Sequence, residues 1–332
     1  MAFDRQIYEK AENEIKQRRF NAENKLNNRL EEVYTVIPEI KEIMTAISQT
    51  NIELSKLIIR REGNFSESFN KIKNQNIQGQ ATIKQLLVQN KYPENYLEPV
   101  YVCNNCNDKG YTVDGTRCSC FNKLLTYFAV EQLNSEANMP ECDFEHFSLE
   151  YYAGISTPNC PDCYKKMVEN LEFCKEYAEN FSLNSESLFL VGQTGVGKTH
   201  ISLAIAKEVS AKGYTVAYGS LLNYMRNIEK EHFNRSANTE TDTLQILINS
   251  DLLILDDLGS EFQTNFSEAA LYNILNSRIN LGLPTIISSN LSGKDLQQKY
   301  NDRIVSRLLS VYKLLLFVGQ DIRQLKRLRN NF

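Results

Sequence analysis

Residues 1–98 place apolar positions at helical intervals on a polar background. Ile37, Ile40, Ile43, Met44 and Ile47 recur at steps of three and four, and Leu54, Leu57 and Ile58 repeat the pattern. No glycine precedes Gly63, and proline occurs only at Pro38 and Pro93, so few breakers interrupt these helices. The polar stretch EGNFSESFNKIKNQNIQGQ, residues 62–80, reads as a connection between helices. Pattern alone leaves open whether the helices pack only on each other or form a partner-binding arm. Beyond about residue 140 the pattern changes. Short apolar runs at residues 187–191, 214–220, 252–255 and 284–290 read as strands. The first two lead into helical patterns, with Ile201, Leu203, Ala204, Ile205 and Val209 after one and Leu221, Leu222 and Met225 after the other. Strands alternating with helices predict an α/β fold on a parallel sheet.

A chain of 332 residues has room for about two domains. The first ten residues, MAFDRQIYEK, lack an apolar targeting segment, and no run approaches the ~18 apolar residues of a membrane span. A cytoplasmic protein with no membrane association is therefore expected. Its eight cysteines should be reduced, and clustered ones should bind metal rather than form disulfides. A net charge of −4 argues against wholesale electrostatic binding of nucleic acid while leaving room for a local site.

One such cluster stands in CNNCNDKGYTVDGTRCSC. Cys103-x₂-Cys106, eleven intervening residues and Cys118-x-Cys120 supply four thiolates around a hairpin rich in Gly and Asp, the pattern of a tetrahedral Cys₄ zinc site. Four sulfurs close the coordination sphere and leave no place for an activated water, so zinc here is expected to be structural. Cys160-x₂-Cys163, with Cys142 and Cys174, has no matching second pair and reads as surface or packing thiols. His146 and His200 are isolated and read as structural rather than metal ligands.

The chemistry of the α/β region begins at Gly192-Gln193-Thr194-Gly195-Val196-Gly197-Lys198-Thr199, which fits G-x-x-x-x-G-K-[ST] between a predicted strand and a predicted helix. Glycines let successive N–H groups curl around an anion, Lys198 is placed for the β- and γ-phosphates of ATP, and the Thr199 hydroxyl for Mg²⁺. In DLLILDDLGSE, Leu252 to Leu255 deliver Asp256 and Asp257 to the carboxyl end of a strand, where parallel sheets bind ligands. Asp256 suits Mg²⁺ through water, and Asp257 suits the water that attacks the γ-phosphate, although either could simply cap the following turn. PTIISSN ends in Ser288, Ser289 and Asn290, whose amide could sense the γ-phosphate. From Arg303 to Phe332 seven Lys/Arg face the single acid Asp321; a solvated basic face is the alternative use of Lys326, Arg327 and Arg329.

Taken in order, GQTGVGKTH, LLILDDLGSE, PTIISSN and DRIVSRLL…FVGQDIR resemble the AAA+ ATPases of the bacterial replicative-helicase loader group, the DnaC/DnaI type, to which the transposition ATPase IstB is related. The resemblance is tight over residues 187–323 and loose over 1–100, where loaders of the DnaI kind also place a helical, zinc-containing arm. It implies a helical partner-binding arm at 1–100, a Cys₄ zinc module and linker helix at 101–135, and an AAA+ ATPase domain at 136–332. It also implies that the stretch from Gly192 to His200 binds nucleotide, with Lys198 and Thr199 as the Walker A pair and Asp256 and Asp257 as the Walker B pair. Asn290 takes the sensor-1 position, Arg323 that of sensor 2, and Arg307 that of an arginine finger reaching a neighbouring subunit, with Arg303 as the alternative finger. Asp257 replaces the glutamate usual in AAA+ proteins, which implies weak hydrolysis dependent on assembly or DNA. The implied cofactors are ATP/ADP, Mg²⁺ and Zn²⁺; the implied partners are a hexameric replicative DNA helicase, single-stranded DNA and further copies of the chain. An IstB-like transposition ATPase and a nucleotide-gated adaptor without useful hydrolysis are the competing readings.

Overall fold

The structure, a computed structural model, describes residues 3–60, 65–136, 142–158, 160–233 and 242–330. The chain divides into two compact units, Glu12–Phe121 and a second made of Met1–Ala11 with Asn122–Phe332.

Three long helices dominate the first unit. α1 (Arg5–Val36) and α2 (Pro38–Arg60) are separated only by Ile37, because proline has no N–H to continue a helix and is tolerated at the first position of a new one. α3 (Phe65–Gln89) lies against α2. Val33, Ile37, Ile40, Ile83 and Leu87 form a small apolar core, with Ile43, Met44 and Ile47 along its flank. Leu54, Leu57 and Ile58 fall on α2, but their side chains lie outside the described residues.

Residues 65–80, expected as a connection, belong to α3, while 61–64 lie outside the described residues. The physical reason is at Gly79. A β-carbon there would stand 3.0 Å from Ile47 Cδ1 and 3.4 Å from Ile43 Cγ2, so this glycine marks close helix packing rather than a turn. Ile72 and Ile83 are buried, while Asn70, Lys71, Lys73, Asn74, Gln75, Gln78 and Gln80 of the stretch are exposed.

The second unit is an α/β domain. Its sheet is wholly parallel, with strands β1 (Leu188–Val191), β2 (Val216–Ser220), β3 (Leu252–Leu258), β4 (Thr285–Ser289) and β5 (Lys313–Leu316) in the order β2-β3-β4-β1-β5. Leu188 to Leu190, Leu252 to Leu255, Ile286 and Ile287 are fully buried, as expected of strands flanked by helices. The helices are α4 (Ser119–Glu136), α5 (Cys163–Glu179), α6 (Lys198–Ala211), α7 (Leu221–Phe233), α8 (Thr243–Asn249), α9 (Asn265–Leu281), α10 (Gly293–Lys299), α11 (Asp302–Ser310) and α12 (Ile322–Asn330). Fully buried Arg278 of α9 donates to the carbonyls of Leu247, Ile248, Ser250 and Pro284 and to Thr285 Oγ1, tying the end of α8 to the start of β4.

Both outer strands meet an asparagine. Asn134 of α4 donates to Val216 O (2.7 Å) and accepts from the Tyr218 N–H (3.1 Å) on β2. Asn170 of α5 donates to Leu316 O (2.8 Å) on β5. Among the described residues, no helix is long and apolar enough to cross a membrane.

Candidate nucleotide site and cysteine cluster

β1 runs into the glycine-rich loop and the loop into α6, so the phosphate-binding sequence lies at the carboxyl end of a central strand. Gly197, at φ +90°, is the residue before the first turn of α6, and a β-carbon there would come within 2.7 Å of Phe147. No other residue type would hold this conformation against that wall without strain. Behind the loop, the fully buried Tyr152 donates its hydroxyl to Val196 O (3.0 Å) and stacks on Phe147. Lys198 is buried and bonds Gly192 O (2.7 Å) and Gln193 O (2.8 Å); burial lowers its pKa, against the raising effect of Asp257 and Asp256.

Asp256 is the focus of three hydroxyls. Its Oδ2 accepts from Thr199 Oγ1 (2.9 Å) and Tyr218 OH (3.1 Å), and its Oδ1 accepts from Ser288 Oγ (2.5 Å). β3 thus supplies the carboxylate, α6 the threonine, and the neighbouring strands β2 and β4 the two groups that fix its orientation. Asp257 departs from ladder geometry: its φ is +56°, and the β3–β4 register shifts between Leu255 and Leu258. The irregularity swings its side chain to the exposed side while its N–H bonds Ser288 Oγ (3.0 Å). Desolvation first, then Asp256, raises the pKa of Asp257.

A cleft of about 290 Å³ is bounded by Thr194, Lys198, Thr199, Asp257 and Arg323 among others. Asn290 follows β4, its amide 3.5 Å from Thr194 Oγ1. Arg323 reaches the cleft because the backbone at Ile322 donates to Gly195 O (3.0 Å), pinning the start of α12 to the loop. Arg307 is not in this wall. It lies over the Tyr272 ring, 4.6 Å from its centre, and donates to Tyr272 OH (2.9 Å) and Asn276 Oδ1 (2.7 Å) on α9 and to the Arg303 carbonyl. Arg303 itself is exposed. Lys326 borders the cleft with Tyr151 beneath it, Arg327 is exposed, and the Arg329 side chain lies outside the described residues.

His146 and His200, isolated in the sequence, both meet Asp143. His146 Nδ1 lies 2.6 Å from its carboxylate, and His200 Nε2 2.7 Å from its carbonyl oxygen. Hydrogen bonds from the His146 backbone and ring hold the Asp143 pKa down to about 2. This cluster and the hydroxyls of Tyr218 and Ser288 escaped sequence reading. The strand-end position of Ser288, two residues before Asn290, is a signal for that hydroxyl.

The four cysteines of the first unit come together. Sγ atoms of Cys103, Cys106, Cys118 and Cys120 all lie within 4.8 Å of one another, with Cys103–Cys118 at 3.8 Å and Cys106–Cys120 at 3.4 Å. Buried Asp108 shapes the first pair by accepting from the N–H groups of Val102 (2.8 Å) and Cys103 (2.9 Å). A tight hairpin, bridged at Tyr111 and Arg117, returns the chain to the second pair. Four convergent thiols around a space of that size suit a tetrahedral zinc ion. Among the described residues, this is the only such group of cysteine, histidine and carboxylate ligands. Cys163 and Cys174 are buried in the α/β core, where burial raises Cys174 to about 12, while Cys142 and Cys160 are half-buried.

Comparison with known proteins bears on this geometry. Residues 154–315 match the family described as IstB-like ATP binding protein. The chain is 29% identical over 192 residues to the replicative helicase loader DnaC of Buchnera aphidicola subsp. Baizongia pistaciae, covering 58% of this chain and 72% of that protein. It is 31% identical over 131 residues to the replicative helicase loader DnaI of Bacillus subtilis, covering 39% of this chain and 40% of that one. A crystal structure of the DnaC helicase loader superposes with a TM-score of 0.43 at 24% identity, covering 53% of this chain and 98% of that one. Residues 154–315 are thus similar to the IstB-like ATP-binding proteins, and the chain is similar over part of its length to the DnaC and DnaI helicase loaders.

Proposed function

We propose that the chain is an ATP-dependent loader that binds a hexameric replicative DNA helicase and helps place it on single-stranded DNA. The observation that carries this reading is the convergence of Lys198, Thr199, Asp256, Asp257, Asn290 and Arg323 at one end of the sheet in a chain whose relatives are named helicase loaders. Lys198 and the loop N–H groups would hold the β- and γ-phosphates of ATP, and Thr199 with Asp256 would hold Mg²⁺, which when bound neutralises phosphate charge. Tyr218 and Ser288 keep the Asp256 carboxylate turned toward Thr199. Asp257 accepts a proton from the attacking water, and its short arm holds that water less firmly than a glutamate would, so turnover is weak. Asn290 and Arg323 read the presence of the γ-phosphate. Arg307 reaches a neighbouring copy in the assembled state, and its stacking on Tyr272 holds the guanidinium on the α9–α11 surface. The helical arm binds the helicase, with one structural zinc in its four-cysteine module, and the protein works in the cytoplasm.

The test is a pull-down from the native host combined with turnover measured with and without single-stranded DNA. Recovery of a replicative helicase and DNA-responsive ATP turnover are expected. The IstB-like match of residues 154–315 favours a second reading, a transposition ATPase, for which a transposase would be recovered instead. An adaptor without useful hydrolysis would bind ATP and partner yet show no turnover under either condition.

A further inference from the structure

A buried ionic node follows the acidic end of β3. Asp257 stands at φ +56°, a conformation that a residue other than glycine keeps only where its surroundings impose it. On its amino side the constraint is the bond from its N–H to Ser288 Oγ. On its carboxyl side the chain turns at once, and the Ser260 N–H returns to Asp257 O (3.1 Å). Within that turn Gly259 takes φ +107° and lies against Leu291, the residue after Asn290: a β-carbon at Gly259 would stand 2.6 Å from Leu291 Cδ1.

Side chains hold the peptide groups of this turn. Glu261 is 6% exposed, and its Oε2 accepts from the Gly259 N–H (2.9 Å). Its Oε1 accepts from the hydroxyl of Tyr300, just beyond α10. Burial first, then that bond, raises the Tyr300 pKa, so the phenol stays a donor. Lys299 of α10 donates to Gly259 O and to Glu261 O (3.2 Å), and its ammonium lies 3.7 Å from Glu261 Oε1. Gln263 donates back to Lys299 O, closing the link between the turn and the end of α10. The chemistry of the node demands a carboxylate. Its two donors fall on separate oxygens, and an amide has one acceptor oxygen only. Buried ion pairs are poor sources of stability, so this one calls for something that it positions. Glu261 is not part of the cleft wall, and both its oxygens are taken, so it does not replace the glutamate that Asp257 displaces. Asp257, whose carbonyl closes the turn, does border the cleft.

We propose that Glu261, together with Lys299 and Tyr300, is a positioning residue for Asp257, holding the left-handed backbone that presents this carboxylate to the nucleotide cleft. That Asp257 then receives the proton of the attacking water rests on the ATPase reading above; the hold on its backbone does not.

The experiment uses the full chain, isotope-labelled at aspartate carbonyl carbons and leucine amide nitrogens. Three peptide bonds join these residue types, Asp251–Leu252, Asp257–Leu258 and Asp295–Leu296, so three amide resonances report them. The Leu258 resonance, identified by its loss in Asp257→Asn, should shift or split in Glu261→Gln and in Tyr300→Phe, while that of Leu252 holds. Tyr300→Phe keeps both charges of the node and so guards against a fold lost with Glu261. In turnover assays both variants should lower kcat about tenfold or more, as misplacement of a reacting group does, with KM for ATP and affinity for a fluorescent ATP analogue unchanged. A merely structural node would lower thermal stability without separating kcat from KM. A Leu258 resonance that both variants leave in place would overturn the proposal, and so would an unchanged kcat in an otherwise active chain. If the unaltered chain binds ATP but does not turn it over, the ATPase reading fails, and the Leu258 resonance alone decides whether Glu261 sets Asp257.

Discussion

The sheet unit and the helical unit bury different things. In the sheet unit charged side chains go inside and are paired: Lys198 on loop carbonyls, Asp256 among three hydroxyls, Arg278 among carbonyls and a threonine. Among the described residues of Glu12–Phe121, Asp108 is the one buried polar side chain, and it lies beside the cysteine cluster. Buried polar groups cost desolvation unless they are bonded, so they persist where they position something. The sheet unit thus holds buried charge at the carboxyl end of its strands and beneath its helices, whereas the helical unit is apolar packing with one buried carboxylate beside four convergent thiols.

The largest separation between the units should come from Lys198→Ala. Removing the phosphate-facing cation should lower nucleotide affinity or turnover by about 10²-fold or more while the zinc content of the arm stays the same. Fluorescent-nucleotide binding and metal analysis on one sample would show both, and unchanged affinity would sink the phosphate-loop assignment. The converse is Cys103→Ser. About one zinc per chain should be lost, hydrogen exchange across residues 101–121 should quicken, and ATP affinity should hold. Absence of zinc from protein purified under reducing conditions would remove the metal from the picture.

Arg307→Ala sharpens the comparison within the sheet unit, because its stacking on Tyr272 lies outside the cleft. Monomeric nucleotide binding should be nearly unaltered, but turnover in the assembled state should fall by about 10³-fold. Mixing with Lys198→Ala protein should restore some activity, since one variant keeps a finger and the other a working pocket. A mixture that co-assembles and stays inactive would shift the finger to Arg303. A smaller effect concerns acidity. The raised pKa of Asp257 means that its ionised form is lost, as pH falls, earlier than for an ordinary carboxylate. Turnover should decline on that limb, and Asp257→Asn should be slow and lack it. Gly79→Ala should do least. The nearest atom is the flexible end of Ile47, so better helix propensity, about 1 kcal/mol, should offset or exceed the contact. Stability loss above that amount would mean that α2 and α3 are packed too rigidly to yield.

How much of this could be read beforehand follows from the range of the interactions. The strand–loop–helix around Lys198 and the acids closing β3 are local patterns, and the sequence carried them at full strength. Asn290 was legible because it follows a β-branched run. What brings Tyr218 and Ser288 onto Asp256 is the lateral order of β2, β3 and β4, which no single segment encodes. Asp257 looks like any second acid until the register shift and its left-handed backbone are seen. The convergence of the four cysteines could be read from their spacing because they are close in sequence, whereas Asp143 meets a histidine 57 residues away. The stretch 62–80 misled because its polar residues suit a connection and an exposed helix face equally, and only the partner helix decides.

The asparagines on the two outer strands bear on how the protein behaves when crowded. A parallel sheet ends in two rows of unpaired peptide groups, each a template on which another chain can add a strand and begin cross-β growth. Asn134 offers β2 an acceptor and a donor spaced like those of a peptide, and Asn170 offers β5 a donor, so each border meets an amide that belongs to no strand. Borders met in this way oppose edge-to-edge addition of a further strand, so copies of the chain can crowd together without fusing into fibres.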